Sequence, residues 1–445
     1  MSSPSPSPHE HPRDRLEFCF REAVRAVSPD VALRGVLHAP PGSAATPWIL
    51  GIGKAAAGMV AAAGEVLREA GHGSLKGFAV LDEPPRCDLP VPWCVGDHPI
   101  PGAASLRAAE RLSETVALIP AGNPAWVFLS GGASSLIAAP IDPITPDDLR
   151  ELWTVLLSSG LPIGEMNAIR KRVLRHAGGR LGVALSGGAR IVSQYLISDV
   201  PGDDIADIGS GPCVAAAPDQ GMVRANLASL PLSPALGGRI LTVLDTSPPP
   251  GDDDPGLAGI THRVVATNRE AREAAEAAAR TRGWEVQVDG TLVTGEARHV
   301  GREFAAFLVA QEPGSVPRLI VRGGETTVRL PSSKECPPGG RNQELAMAAA
   351  EVLSGDGRDR PVVLAAGTDG RDGTTDAAGA VVDGETWERI RATGMDPDQA
   401  LADHRAHEAL ARVSALVTTG RTGTNVMDLL LGVVPPRGGG SRSAR

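Results

Sequence analysis

Trp48-Ile49-Leu50-Gly51-Ile52-Gly53-Lys54-Ala55-Ala56 reads as a short apolar strand, a glycine turn and the start of an alanine-rich helix. A helix start carries unpaired backbone N–H groups and the positive end of a dipole, which suits an anion. Lys54 adds a mobile charge at the same turn. The same alternation recurs outward from this stretch. Strands are expected over residues 78–81, 126–129 and 191–197, and helices over 15–27, 55–70, 101–118, 147–158 and 165–177. Short apolar strands alternating with helices predict an α/β fold with a mainly parallel sheet covered by helices.

The chain has 445 residues, and domains usually take ~100–200, so two domains are expected. Residues 245–259 (DTSPPPGDDDPGLAG) hold too many prolines and glycines for a regular element and read as a linker or long loop. Beyond them strands are expected at 263–266, 285–289, 318–321, 326–330, 362–366 and 416–419, with helices at 269–282, 302–311 and 342–353. Apolar residues are 42% of the chain but aromatics only 3%, so the cores must be built from Ala, Val, Leu and Ile. The net charge of −9 excludes a general attraction to nucleic acid or anionic membranes. No apolar run approaches the ~20 residues that span a bilayer. Five cysteines without C-x-x-C spacing fit a reduced, cytoplasmic setting. Residues 1–13 and 435–445 read as disordered tails.

Several polar glycine loops can carry chemistry. Gly51 and Gly53 flank the first turn, and with Ala56 and Asp82 they also come close to a dinucleotide fingerprint. Ser130-Gly131-Gly132-Ala133-Ser134 follows a strand and forms a second anion nest. Asn167, Arg170 and Lys171 share one helix face and could hold an acidic substrate. Asp199 and Asp203 end a strand, where carboxylates suit magnesium beside phosphate oxygens. Toward the C-terminus lie Gly324-Glu325, Arg341-Asn342, Asp369 with Asp372, and Thr422-Gly423-Thr424-Asn425. These loops read as one rim for phosphate and metal. The planar guanidinium of Arg341 could give two parallel hydrogen bonds to a phosphoryl group.

In order, G-x-G-K-A-A, D-H-P-x-P, S-G-G-x-S-S-L, N-x-x-R-K, S-D-V-x-G-D, S-G-P, G-G-E-T-T-V, G-G-R-N-Q-E-L, T-D-G-x-D-G and T-G-T-N-V resemble the glycerate 2-kinase family over roughly residues 16–434. The resemblance implies a Rossmann-like α/β/α N-terminal domain (residues 14–250), facing a smaller mixed α/β domain of the MOFRL type (260–434) across a cleft. It implies phosphoryl transfer from ATP, with Mg2+, to the 2-hydroxyl of D-glycerate or a related hydroxy acid. By match, Lys54 and Arg341 are the key charged groups. The expected partner is a small-molecule substrate, with no nucleic acid and no membrane, and a homodimer is within expectation. Members are also labelled hydroxypyruvate reductase, and an NAD(P)-dependent reductase, resting on Gly51, Gly53, Ala56 and Asp82, is the alternative. Departures from the family pattern at Arg172, Leu174, Ala177, Arg405, His407 and Arg421 leave open a larger or more acidic acceptor.

Overall fold

The computed structural model describes residues 11–41, 44–188, 191–215, 218–330, 336–355 and 360–437. The outer parts of both expected tails lie outside the described residues. The inner end of the first is helical: Pro12–Ala26 is a helix whose start is capped by the His11 side chain. The chain folds as two compact units. One takes Pro29–Ala266 with Gly423–Asn425; the other takes Thr267–Thr422, the chain from Val426 onward and the N-terminal helix.

The N-terminal unit is built on a six-stranded sheet. Its strands are β1 (Trp48–Ile52), β2 (Gly77–Leu81), β3 (Trp93–Val95), β4 (Pro124–Leu129), β5 (Ile191–Ile197) and β6 (Ile260–Ala266), in the order β3-β2-β1-β4-β5-β6. Every neighbouring pair is parallel. β1 and β4 are buried along nearly their whole length, which explains their unbroken apolar runs. The order reverses between β1 and β4, and at such a switch point the ends of the two strands leave a crevice suited to a ligand. A separate helical core packs Trp153, Ile169 and Val173 against Val223, Leu236 and Ile240. It carries the basic helix Ile163–Val173.

The C-terminal unit holds a mixed sheet of β7 (Glu285–Val293), β8 (Arg318–Gly324), β9 (Val362–Gly367), β10 (Gly379–Val382), β11 (Leu416–Val417) and β12 (Asp428–Val434). Its order is β11-β10-β9-β12-β8-β7. Only β7 and β8 run parallel. The helix Arg341–Leu353, buried nearly all round, runs through the core of this unit, with apolar residues filling most of it beyond a polar first turn.

Three readings of the sequence differ from the structure. Residues 326–330 form no strand; Thr327 makes a single bridge to Glu296. β12, a central and wholly buried strand, follows the loop 423–425 and is not among the expected strands. Residues 247–259 are an excursion within the N-terminal unit before its last strand, with Leu257 seated against Gly179 and Gly182. The boundary thus falls after Ala266. The helix Pro12–Ala26 belongs with the C-terminal unit because its apolar side packs there, with Phe18 under the Arg282 guanidinium at 3.8 Å.

Candidate active site

The strand ends at the switch point meet through backbone. Ser130 N–H donates to Ile52 O, Lys54 N–H donates to Gly131 O (3.0 Å), and Ala55 N–H donates to Ser130 Oγ (2.9 Å). These bonds explain the two glycines. A Cβ on Gly53, whose φ is +123°, would lie 2.3 Å from Ser130 Oγ, and one on Gly51 would lie 2.4 Å from Val60. Their freedom serves close packing. The approach that a dinucleotide pyrophosphate needs at the second glycine is filled by Ser130. Gly132 (φ +86°) begins the short helix Ala133–Leu136, and its missing side chain leaves room for the His98 ring and the stem of Lys54, 3.2 and 3.6 Å from where a Cβ would stand. Three motifs far apart in sequence therefore converge on this loop.

Asp199, just beyond β5, lies against the same loop. A Cβ on Gly131 would clash with its carboxylate, and Oδ2 accepts from Asn425 Nδ2 at 3.0 Å. Asp203 has a left-handed backbone (φ +56°), and its Oδ1 is buried with no hydrogen-bond partner among the described residues. An orphaned buried carboxylate oxygen is a group that a cation would satisfy.

A polar chain leads from the loop into the helical core. Ser134 Oγ meets Ser210 Oγ at 2.7 Å, Ser210 Oγ approaches Asn167 Oδ1 at 3.5 Å, and Arg170 Nη1 donates to Asn167 Oδ1 at 3.2 Å. The expected helix face is present, with Asn167, Arg170 and Lys171 all buried. The cations differ in their partners. Lys171 pairs with Asp207 at 2.7 Å, while Arg172 and Arg180 donate to backbone carbonyls. Arg170 has no carboxylate partner among the described residues. It is 8% exposed, its Nε is unsatisfied, and it lies over the Trp153 ring at 5.0 Å. Burial pushes its pKa down to about 10, so it stays charged at neutral pH.

The C-terminal unit assembles its own cluster where β8 and β9 end and β12 begins, since Asp428 pairs with both Gly324 and Gly367. Arg341 opens the helix Arg341–Leu353. Its Nε and Nη2 donate in parallel to Asp428 (2.5 and 2.9 Å), and Nη1 meets Glu325 at 2.7 Å. The parallel pair expected for a phosphoryl group is therefore engaged by a carboxylate. Burial disfavours the charge on Arg341, but Asp428 and Glu325 outweigh it and hold the pKa above the ordinary arginine value. Asp372, 1% exposed, caps this helix from a distant loop: its oxygens accept from the N–H groups of Asn342 and Gln343 and from Gln343 Nε2. Both of its oxygens are thus engaged, which leaves little room for a metal. Burial, reinforced by Asp428, raises its pKa to about 6. Thr422 Oγ1 donates to Thr368 O, and Thr422 N–H donates to Asp369 O, tying those two loops together.

Asp428, Ser210 and Trp153 were not singled out from the sequence. Ser210 stands in the sequence only as part of the S-G-P motif. Asp428 is a lone carboxylate opening the apolar run L-L-L-G-V-V, and that isolation was its signal. Of the departures from the family pattern, Leu174 and Ala177 pack in the helical core, Arg405 pairs with Glu408, and His407 bonds Gln343. Those residues, with Arg172, serve local structure and lend no support to a larger acceptor.

Residues 15–245 match the model of a domain of unknown function, DUF4147, and residues 318–428 match the MOFRL family. A D-glycerate 2-kinase from Thermotoga maritima is 32% identical over 93% of this chain and 96% of its own. A protein from Agrobacterium vitis that carries the label hydroxypyruvate reductase is 33% identical over 94% and 93%. The crystal structure of glycerate kinase from Thermotoga maritima matches with a TM-score of 0.77 and 30% identity, covering 95% of this chain and 99% of that one. On fold, motif order and these matches, the chain belongs to the glycerate 2-kinase family, with its DUF4147 and MOFRL domains.

Proposed function

We propose that this chain transfers the γ-phosphoryl group of ATP to the 2-hydroxyl of D-glycerate. The observation that supports this most is Arg170. A buried, charged guanidinium without a carboxylate partner is costly unless a ligand supplies the anion, and a hydroxy acid carries one. Arg170 would hold the substrate carboxylate, with Asn167 orienting it and Ser134 and Ser210 within reach of the substrate's hydroxyl groups. Lys54 and Arg341 would balance charge on the transferring group, which needs positioning and electrostatics more than covalent help. Asp199 and Asp203 would hold magnesium; the orphaned Oδ1 of Asp203 supports that assignment, and Asp369 is the further candidate. When bound, the ion would neutralise phosphate charge. The reductase reading is weaker, because Ser130 fills the turn where a dinucleotide would approach. A cytoplasmic location is part of the same proposal, supported by five cysteines whose spacing fits a reduced setting.

The deciding experiment incubates the protein with ATP, magnesium and D-glycerate, and separately with NADH and hydroxypyruvate. The expected result is 2-phosphoglycerate in the first mixture and unchanged NADH in the second. Oxidation of NADH without consumption of ATP would overturn the proposal.

A further inference from the structure

The guanidinium of Arg341 is gripped by two carboxylates of unequal burial. Asp428, on one side, is 10% exposed and takes Nε and Nη2 in parallel; Glu325, at Nη1, is 39% exposed. Asp428 is itself fixed. It opens β12 between β8 and β9, and its carbonyl accepts from Nδ2 of Asn268, a buried residue that also holds Val426 O. A guanidinium has five N–H donors. Three are engaged by these carboxylates, which leaves one on each terminal nitrogen. A long arginine side chain held at its inner edge keeps one orientation, whereas an untethered one samples many.

We propose that Asp428 is a positioning residue for phosphoryl transfer. It fixes the plane of Arg341, so that the remaining N–H groups of Nη1 and Nη2 are presented in one direction, and it acts only through that arginine. The proposal rests on the reading of Arg341 as a phosphoryl-binding cation. Because Asp428 is anionic, it would itself repel rather than hold ATP and reaches the phosphoryl group only through Arg341, so its loss is expected to appear in kcat.

The test is a double-mutant cycle of Asp428→Asn and Arg341→Met, with kcat and KM for ATP measured on all four proteins. Asp428→Asn is expected to lower kcat roughly tenfold to a hundredfold, with KM for ATP unchanged or lower. Added to Arg341→Met, it is expected to cost nothing further. If Asp428→Asn fails to fold, Asp428→Glu carries the test: it keeps the charge, shifts the carboxylate by one methylene and should lower kcat at constant KM. A wild-type kcat in a folded Asp428 variant overturns the proposal. So does a loss as large in the Arg341→Met background as in wild type, because Asp428 would then act on something else. Wild-type turnover in Arg341→Met alone would remove the role of Arg341, and the proposal with it, which distinguishes that failure from the other two.

Discussion

Lys54 and Arg170 show how the same kind of charge takes different parts according to its surroundings. Lys54 leaves the turn after β1 with its stem beside Gly132 and the His98 ring. Its backbone N–H is used by the loop, so the side chain can change without unmaking the turn. Lys54→Ala should therefore fold normally and lose turnover by ~10²–10³, the usual cost of one well-placed charge-stabilising group. Steady-state kinetics beside a thermal melt check this, and a folded variant with wild-type turnover would count against the role. Arg170 presents the opposite balance. Its charge is buried without a counter-ion among the described residues, so Arg170→Met should raise the melting temperature, since a desolvated cation is replaced by an apolar side chain of similar length. The same change should weaken D-glycerate binding, because loss of a charge-assisted contact worth ~1.5–3 kcal/mol is roughly tenfold to a hundredfold in affinity. KM for ATP should hardly move. A variant that is less stable and binds glycerate as tightly as wild type would refute both halves.

At the scale of elements, the helix Arg341–Leu353 depends on a residue that is not its own. Asp372 accepts from the N–H groups of its first turn, and a Cβ on Gly340 would strike that carboxylate at 2.2 Å. The folded pKa of Asp372 is about 6 against an ordinary 3.8. The folded protein thus keeps this proton at a pH where the unfolded chain has released it. The resulting stability is fully present below about pH 4 and is lost as pH rises through about 6. Asp372→Asn cannot titrate. The melting temperature of wild type relative to this variant should therefore fall between pH 4 and pH 7. Paired melts across that range are the measurement, and a difference that stays constant or moves in favour of wild type would show that Asp372 does not titrate there.

For the whole molecule, each of the two units is built from interrupted stretches of chain. Gly423–Asn425 lies with the N-terminal unit, while Thr422 and Val426 lie with the other. Asn425 thereby supplies a donor to Asp199 from more than two hundred residues away. With Asp199 held in this way and Asp203 presenting an orphaned oxygen, EDTA should abolish phosphoryl transfer and added magnesium should restore it. Undiminished turnover in metal-free buffer would reject the metal assignment.

The local alternation of apolar runs and glycine turns was enough to place β1, β2, β4 and β5 of the N-terminal unit's parallel sheet, because central strands such as β1 and β4 are buried along nearly their whole length; β3, which buries none of its residues, was not legible. The loops that carry charge were legible for the same reason: glycines and hydroxyls cluster where backbone must approach backbone. The partners of those charges were not legible. Nothing in the spacing of N-x-x-R-K says that Lys171 meets Asp207 while Arg170 meets no carboxylate, or that Arg341 is gripped by Asp428. β12 was missed because its apolar run, unlike those of β1 and β4, leads into no helix among the described residues and so lacks the strand–turn–helix pattern that marked the others. Periodicity is a property of neighbours in sequence, whereas pairing of charges is decided by which strand ends come together, and that is settled only by the tertiary fold.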